Sequence, residues 1–522
     1  MVTTEMQKRS VDPWPRGIGH VVLGLPGSYE EEKAYHEPGG SFSPVANSFG
    51  VSFWVIDPSG STIATSDDVS LDSIRQSFVY NGNPNIPGIL TETEFYQSVW
   101  EAESATKWKL SLSPGNSVDN SLAVIIRSVG PAGGPIDSLE WNGEKLVIQQ
   151  NRSDLCTVAQ DSEEQIKQFP LLKNISNFSM ADRCRTLDTE KLQWELTFDV
   201  KPKLVHVGQE GEPGWTKATV ETARWEGADG WGFARIEFDP AADISLNIER
   251  LNPVEMPLLQ QSQTPFSLDL PNQQFVDSLK AQIAHLKMSL VDNQPRPGEP
   301  INYPLPWQRD GAYTVVALAR AGQIDIAKQL ALYFAENDFF GGFGPEADAP
   351  GLSLWALEQV SVQAQDPTFD QQIWPHVTRK AEWIERMLST TKTIYEPVVA
   401  PVIPSSRFDG SVNLVADPPQ NGLIVGRMDH HRPILFVNAV SYQGLLAASA
   451  LANRLGYTTE QAYWQEQADQ LQNAWSERFR GVDDSNERTY AAGLWPTWAA
   501  SDDLELYRQN LSSRLDYLAL PT

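Results

Sequence analysis

Cysteine is nearly absent: 522 residues hold two, Cys156 and Cys184. That scarcity excludes a disulfide framework and a thiolate metal cluster, and two free thiols in a reducing compartment are expected. Basic residues are short as well, 40 Lys and Arg against 67 Asp and Glu, for a formal charge of −27. Nucleic acid and anionic membranes are polyanions that such a chain repels, whereas a neutral substrate meets no such penalty. No apolar run of membrane-spanning length is found, and residues 1–17 mix Glu5, Lys8, Arg9 and Asp12 with no apolar segment behind them. The chain is therefore expected to be soluble and cytoplasmic, without a secretion signal. Asn-x-Ser matches at Asn151, Asn174, Asn177 and Asn510 are read as chance, because glycosylation needs a secretory route.

The length allows two to four domains and a sizeable core. Residues 1–251 read as strands and turns. Val51–Ile56, the turn Asp57–Gly60 and Thr62–Thr65 form one strand pair, and Leu139–Trp141, Asn142-Gly143 and Lys145–Ile148 form a hairpin whose Asn-Gly suits a type I′ turn. Leu192, Trp194, Leu196, Phe198 and Val200, then Ile244, Leu246 and Ile248, recur with a period of two. One face of each strand is thus apolar, which predicts an antiparallel β-sandwich. Gly208–Gly214 reads as a loop, and the carboxylates of this half as a solvated surface without a catalytic constellation. Residues 252–272, rich in Pro and Gln, read as a linker.

Residues 273–522 change period. Phe275, Leu279, Ile283, Leu286 and Leu290 fall at helical spacing behind a capping Asn272. Prolines 295, 297, 300, 304 and 306 then stiffen an extended approach to Trp307. Helical hairpins are predicted at 315–335, turning at Gly322-Gln323, and at 439–479, turning at Gly456-Tyr457. The two share small and large apolar residues ahead of a Gly stop, so a solenoid or closed toroid of helix pairs is expected.

Loops rich in aromatic, Gly and acidic residues separate these hairpins. In Trp307-Gln308-Arg309-Asp310 a flat aromatic, a forked cation and a carboxylate form a compact device for gripping a polyol ring: apolar platform, fixed donors and a two-hydroxyl acceptor. A core Trp beside a local Arg–Asp pair would give the same four residues. The loop 339–355 is expected to expose Glu346 and Asp348, and the loop 422–432 carries Arg427, Asp429, His430, His431 and Arg432. Tyr490–Trp498 adds Trp495. Loops leaving the same ends of successive helix pairs converge on one mouth, and a mouth lined in this way suits carbohydrate.

The order and spacing of Trp307–Asp310, Pro345–Leu352, Arg427-Met428-Asp429 ahead of Val437-Asn438-Ala439, and Gly493-Leu494-Trp495-Pro496 resemble the successive loops of the six-hairpin glycosidases. These (α/α)6-toroid enzymes include glucoamylases, trehalases, the glucosidase part of glycogen debranching enzymes and the processing α-glucosidases. The resemblance covers about 273–500 and is specific to the superfamily rather than to one family. Members with an added N-terminal β-sandwich include bacterial glucoamylases and disaccharide phosphorylases. The resemblance implies that Trp307, Arg309 and Asp310 bind the non-reducing sugar. It also implies that Asp429, matching the Met-Asp of the debranching and processing glucosidases, is the general acid.

The residue types suit that chemistry. Inverting cleavage needs a protonated carboxylic acid at the leaving oxygen and a second carboxylate roughly 6.5–9.5 Å away to activate water. Glu346, Asp348, Arg427 and Trp495 are assigned to substrate binding, and Glu396 is a fallback acid. A metal at Asp429, His430 and His431 is not expected, because adjacent side chains rarely converge on one ion; no cofactor is implied. About eight helices are counted where the family has twelve, and the family's general base lies beyond the region resembling 493–498. The resemblance therefore implies an incomplete toroid, and no base is named. The leading expectation is an inverting glycoside hydrolase acting on α-glucosides or related oligosaccharides. A phosphorylase, in which phosphate attacks and only the acid is needed, and a carbohydrate-binding protein without chemistry stand beside it.

Overall fold

A computed structural model describes residues 14, 16, 21–24, 33–45, 48–80, 87–104, 106–115, 119–151, 191–227, 229–252, 268, 270–291, 294–296, 306–338, 345–395, 414–428, 434–479 and 489–518. The thiols at Cys156 and Cys184 lie outside them.

The N-terminal half is two antiparallel sheets face to face. The first runs, in spatial order, Val21–Leu23, Ala34–His36, Phe42–Ser43, Gly50–Ile56, Ser121–Arg127, Gly232–Glu237 and Leu204–Gln209, with Thr62–Thr65 paired to Gly50–Ile56. The second runs Arg224–Glu226, Ser138–Trp141, Lys145–Asn151, Lys191–Phe198, Ile244–Arg250, Lys107–Pro114, Tyr96–Ser104, Gly88–Glu92 and Arg75–Val79. Alternation explains the second sheet. Leu192, Trp194 and Leu196 turn inward, Ile244, Leu246 and Ile248 do the same, and their polar neighbours turn outward. Gly143, with φ +97°, makes the hairpin turn between Trp141 and Lys145.

The first sheet is buried on both faces. Val51, Phe53, Val55, Val124 and Ile126 join the core between the sheets. Trp54, Ile56, Ala123 and Ile125 pack outward against Phe233 and Trp215. Trp215 sits on a one-turn helix, Pro213–Thr216, which corrects the expected loop at 208–214: Gly208-Gln209 complete a strand, and Pro213 starts the helix where its missing N–H costs nothing. The expectation of solvated carboxylates also fails here. Arg127 pairs with Asp67 at 3.3 Å and Glu210 at 3.5 Å, with all three side chains buried. Hydroxyls of Ser41, Ser52 and Ser128 donate to the same carboxylates, and Trp215 covers the guanidinium at 4.9 Å. Paired in this way, buried charge is tolerable.

The second half carries eight α-helices among the described residues: α1 Gln273–Met288, α2 Gln308–Arg320, α3 Ile324–Glu336, α4 Ala349–Ala364, α5 Pro367–Ser389, α6 Ile434–Leu455, α7 Thr458–Arg478 and α8 Leu504–Leu518. Asn272 caps α1 by accepting from the Phe275 N–H at 3.1 Å. The hairpins α2/α3 and α6/α7 end their first helices alike. Gly322 and Gly456 take φ +74° and +81°, and the next N–H returns to the carbonyl five residues back, Gln323 to Leu318 and Tyr457 to Ala452, at 2.9 Å in both. This is the αL stop that glycine permits.

Two expectations need correcting. The stretch beyond Asp310 is not all helix: Ile394–Tyr395, Leu414–Gln420 and Leu423–Gly426 form a three-stranded sheet, turned at Asn421-Gly422 with φ +52° and +79°. And α6 holds a 21-residue stretch, Leu435–Leu455, long and apolar enough to cross a membrane; its apolar window is 83% buried inside the protein, which makes it a core helix. It crosses α4 at two glycines. A Cβ at Gly351 would lie 2.4 Å from the Val440 carbonyl oxygen, and one at Gly444 would lie 2.6 Å from the Gly351 Cα. The halves meet where Met288 joins the sandwich core and the Tyr80 hydroxyl lies 3.2 Å from His285 Nε2.

Candidate functional site

The site gathers at the N-terminal ends of α2, α4 and α6. Helix α2 starts at Gln308, seven residues before the predicted Val315, so Arg309 and Asp310 occupy its first turn with Trp307 as N-cap. Trp307 is buried, which removes it from the role of an exposed sugar platform; it backs the motif from within. Asp310 is exposed at the rim.

Glu346 and Asp348 were expected exposed in a Gly/Pro loop, and each is 1% exposed. Arg309 explains the difference. Its Nη2 donates to Glu346 Oε2 at 2.8 Å and its Nε to Asp348 Oδ2 at 2.9 Å, so one forked cation serves two carboxylates. Asp348 is also the N-cap residue of α4, where the helix dipole favours a negative charge. Both acids thus lie against the protein's own arginine.

The 427 segment adjoins this clamp. The Ala347 N–H donates to the Arg427 carbonyl at 2.9 Å, and Arg427 Nη1 donates to the Pro345 carbonyl at 3.2 Å. Gly426 permits the approach, since a Cβ there would lie 2.3 Å from the Ala347 Cβ. Asn438, near the start of α6, holds the strand below: its amide accepts from the Ile424 N–H at 2.7 Å and donates to the Ile424 carbonyl at 2.9 Å. Phe436 places its ring 6.0 Å from the Arg309 guanidinium carbon. Asp429, His430, His431 and Arg432 lie outside the described residues, as does Glu396. Their neighbours Arg427 and Phe436 belong to the cluster. Arg427 is buried, with one N–H committed to Pro345.

One wall is aromatic. Tyr313 stands one turn beyond Arg309 on α2, 5.2 Å from Trp355 and 5.3 Å from Trp495 between ring centroids. The two tryptophans meet edge-on at 5.9 Å. Trp495 is 48% exposed and Trp498 is exposed as well. Burial, with help from Asp348, pushes the Tyr313 phenol up to about 12. Tyr313, Trp355, Phe436 and Asn438 were not among the expected site residues. The signal available for Tyr313 was its spacing of three and four from Asp310 and Arg309, which puts all three on one helical face. Among the described residues no group of three or more His, Cys, Asp or Glu is arranged to hold a metal.

No protein-family model and no curated protein sequence matches the chain. Solved structures do. A bacterial glucoamylase in complex with acarbose aligns at a TM-score of 0.51 and 10% identity, over 88% of this chain and 67% of that one. A family GH92 alpha-mannosidase from Bacteroides thetaiotaomicron aligns at 0.39 and 8%, over 91% of this chain and 65% of that one. The chain spans about two thirds of the length of each. At such identity the first likeness concerns the fold, an antiparallel β-sandwich followed by an α/α toroid of helical hairpins. What the site does is a separate question, which its geometry has to answer.

Proposed function

We propose that the protein is a glycoside hydrolase acting on α-glucosides or related oligosaccharides by an inverting acid/base route. The observation that carries this is the Arg309 clamp. By closing on Glu346 and Asp348, with Arg427 bound to the backbone of Pro345 and Ala347 beside them, it draws segments at 307–310, 345–348 and 427 to one rim and leaves Asp310 and Trp495 exposed there. The fold shared with a glucoamylase whose bound ligand is acarbose supports the substrate class.

In this scheme Asp310 accepts from sugar hydroxyls and Trp495 offers its face to the apolar side of a ring. Arg309, Glu346 and Asp348 hold the rim in shape and set its charge. Asp429, next to Met428 and Arg427, protonates the leaving oxygen, with Glu396 as the fallback. The second carboxylate that inversion needs, roughly 6.5–9.5 Å from the acid, is assigned to no residue. A cytoplasmic location belongs to the same proposal and rests on the two-cysteine composition.

Sugar release from maltotriose, measured with and without phosphate, tests the function alongside calorimetric affinity for acarbose. Wild type should release glucose independently of phosphate. Asp429→Asn should lower turnover by about 10²–10⁴-fold, the usual worth of a positioned acid, while holding affinity within a few-fold. Turnover only with phosphate would make the protein a phosphorylase. Affinity without turnover in wild type would make it a binding protein, and full activity in Asp429→Asn would remove Asp429 from the mechanism.

A further inference from the structure

The α2 face that carries Arg309 and Asp310 continues to Tyr313, one helical turn on. Three features set this tyrosine apart from a core aromatic. Its ring is fixed in a corner, between Trp355 at an interplanar angle of 67° and Trp495 at 47°. Its position three and four residues beyond Asp310 and Arg309 sets it on the helical face that carries the charged rim. And its hydroxyl makes no hydrogen bond among the described residues, while its ring is partly buried against the core. Beside it stands Trp495, half exposed, so the corner opens toward solvent.

We propose that Tyr313 is a substrate-contacting, specificity-determining residue: its hydroxyl bonds one hydroxyl of the sugar ring that lies against Trp495, on the Asp310 side of the rim. This rests on the glycosidase assignment and deepens it, because it names how one hydroxyl on the ring is read. An aromatic face alone accepts many pyranoses; a fixed phenol at its edge selects for a hydroxyl in one place. The phenol stays protonated at any working pH, its ionisation lying near pH 12, so it serves as donor or acceptor throughout.

Tyr313→Phe removes the hydroxyl and leaves the aromatic corner. Binding of maltotriose by calorimetry should weaken about 10-fold, the worth of one neutral hydrogen bond. KM should rise by the same factor with kcat within about two-fold, as for an interaction made equally in ground and transition states. A series of monodeoxy maltotriosides supplies the readout that a packing role cannot move. One member should bind wild type about 10-fold more weakly than the parent and bind Tyr313→Phe no worse than the parent does. Trp495→Ala should weaken every member alike. A Tyr313→Phe protein with wild-type affinity, or deoxy losses that add fully to the substitution for every member, would overturn the assignment while leaving the glycosidase reading intact. A wild type that binds no maltotrioside would overturn both.

Discussion

Arg309 joins two buried carboxylates, Glu346 and Asp348. Replacing it by Met should cost about 3–5 kcal/mol, the usual loss when one side of a buried ion cluster is removed. Lysine should recover only part of this, because a point charge on a flexible stem cannot serve Glu346 and Asp348 as a fork does. Urea unfolding of Arg309→Met and Arg309→Lys checks both; losses under about 0.5 kcal/mol would mean the carboxylates are solvated. Residue types at this site were legible in the sequence, but their burial was not. Whether Glu346 sits in water or against a cation depends on a partner 37 residues away, which local pattern does not report. Another single group sets an acid limit. His36 lies in the sandwich core against Phe42 at 4.9 Å, and burial holds its imidazole down at about 3. The unfolded chain takes up the proton near pH 6.5, so stability is full above that and falls as pH drops toward 3. His36→Met should reduce the slope of unfolding free energy between pH 6 and 4 by about 1.4 kcal/mol per pH unit, measured by urea titration at several pH values. An unchanged slope would show the histidine to be charged in the fold.

At the scale of elements, the α4–α6 crossing aims the site. Helix α4 presents Asp348 at its N-terminus and α6 presents Phe436 and Asn438, so the distance between them sets the rim. Gly351→Ala forces backbone against backbone and should destabilise by about 1–3 kcal/mol. It should also weaken maltotriose binding. Gly322→Ala, strained by its positive φ in a turn with open space around it, should lower the melting temperature and leave binding alone. Equal affinity in both variants would detach the crossing from the site. The hairpin stops at Gly322 and Gly456 could be read in advance because such a stop is a local event. The sheet at 394–426 was missed because Pro418-Pro419 argues against a strand; the ladder accommodates them with a register shift between Asp417 and Gln420. Asn421-Gly422 carried the same hairpin signal as Asn142-Gly143, but it stood beside prolines in a region of helical period.

At the scale of the whole molecule, the sandwich was readable because its second sheet alternates cleanly. The first sheet's two-sided burial and its internal Arg127 cluster were not, since both depend on what covers the sheet from elsewhere in the chain. The central claim concerns the other half: loops far apart in sequence share one sugar-binding mouth at the N-terminal ends of α2, α4 and α6. A crystal structure of Asp429→Asn soaked with maltotriose tests it most directly. A ring against Trp495, with hydroxyls bonded to Asp310 and Tyr313, is the predicted result. Sugar bound on the sandwich or at the far ends of these helices, with the Arg309 rim empty, would contradict it.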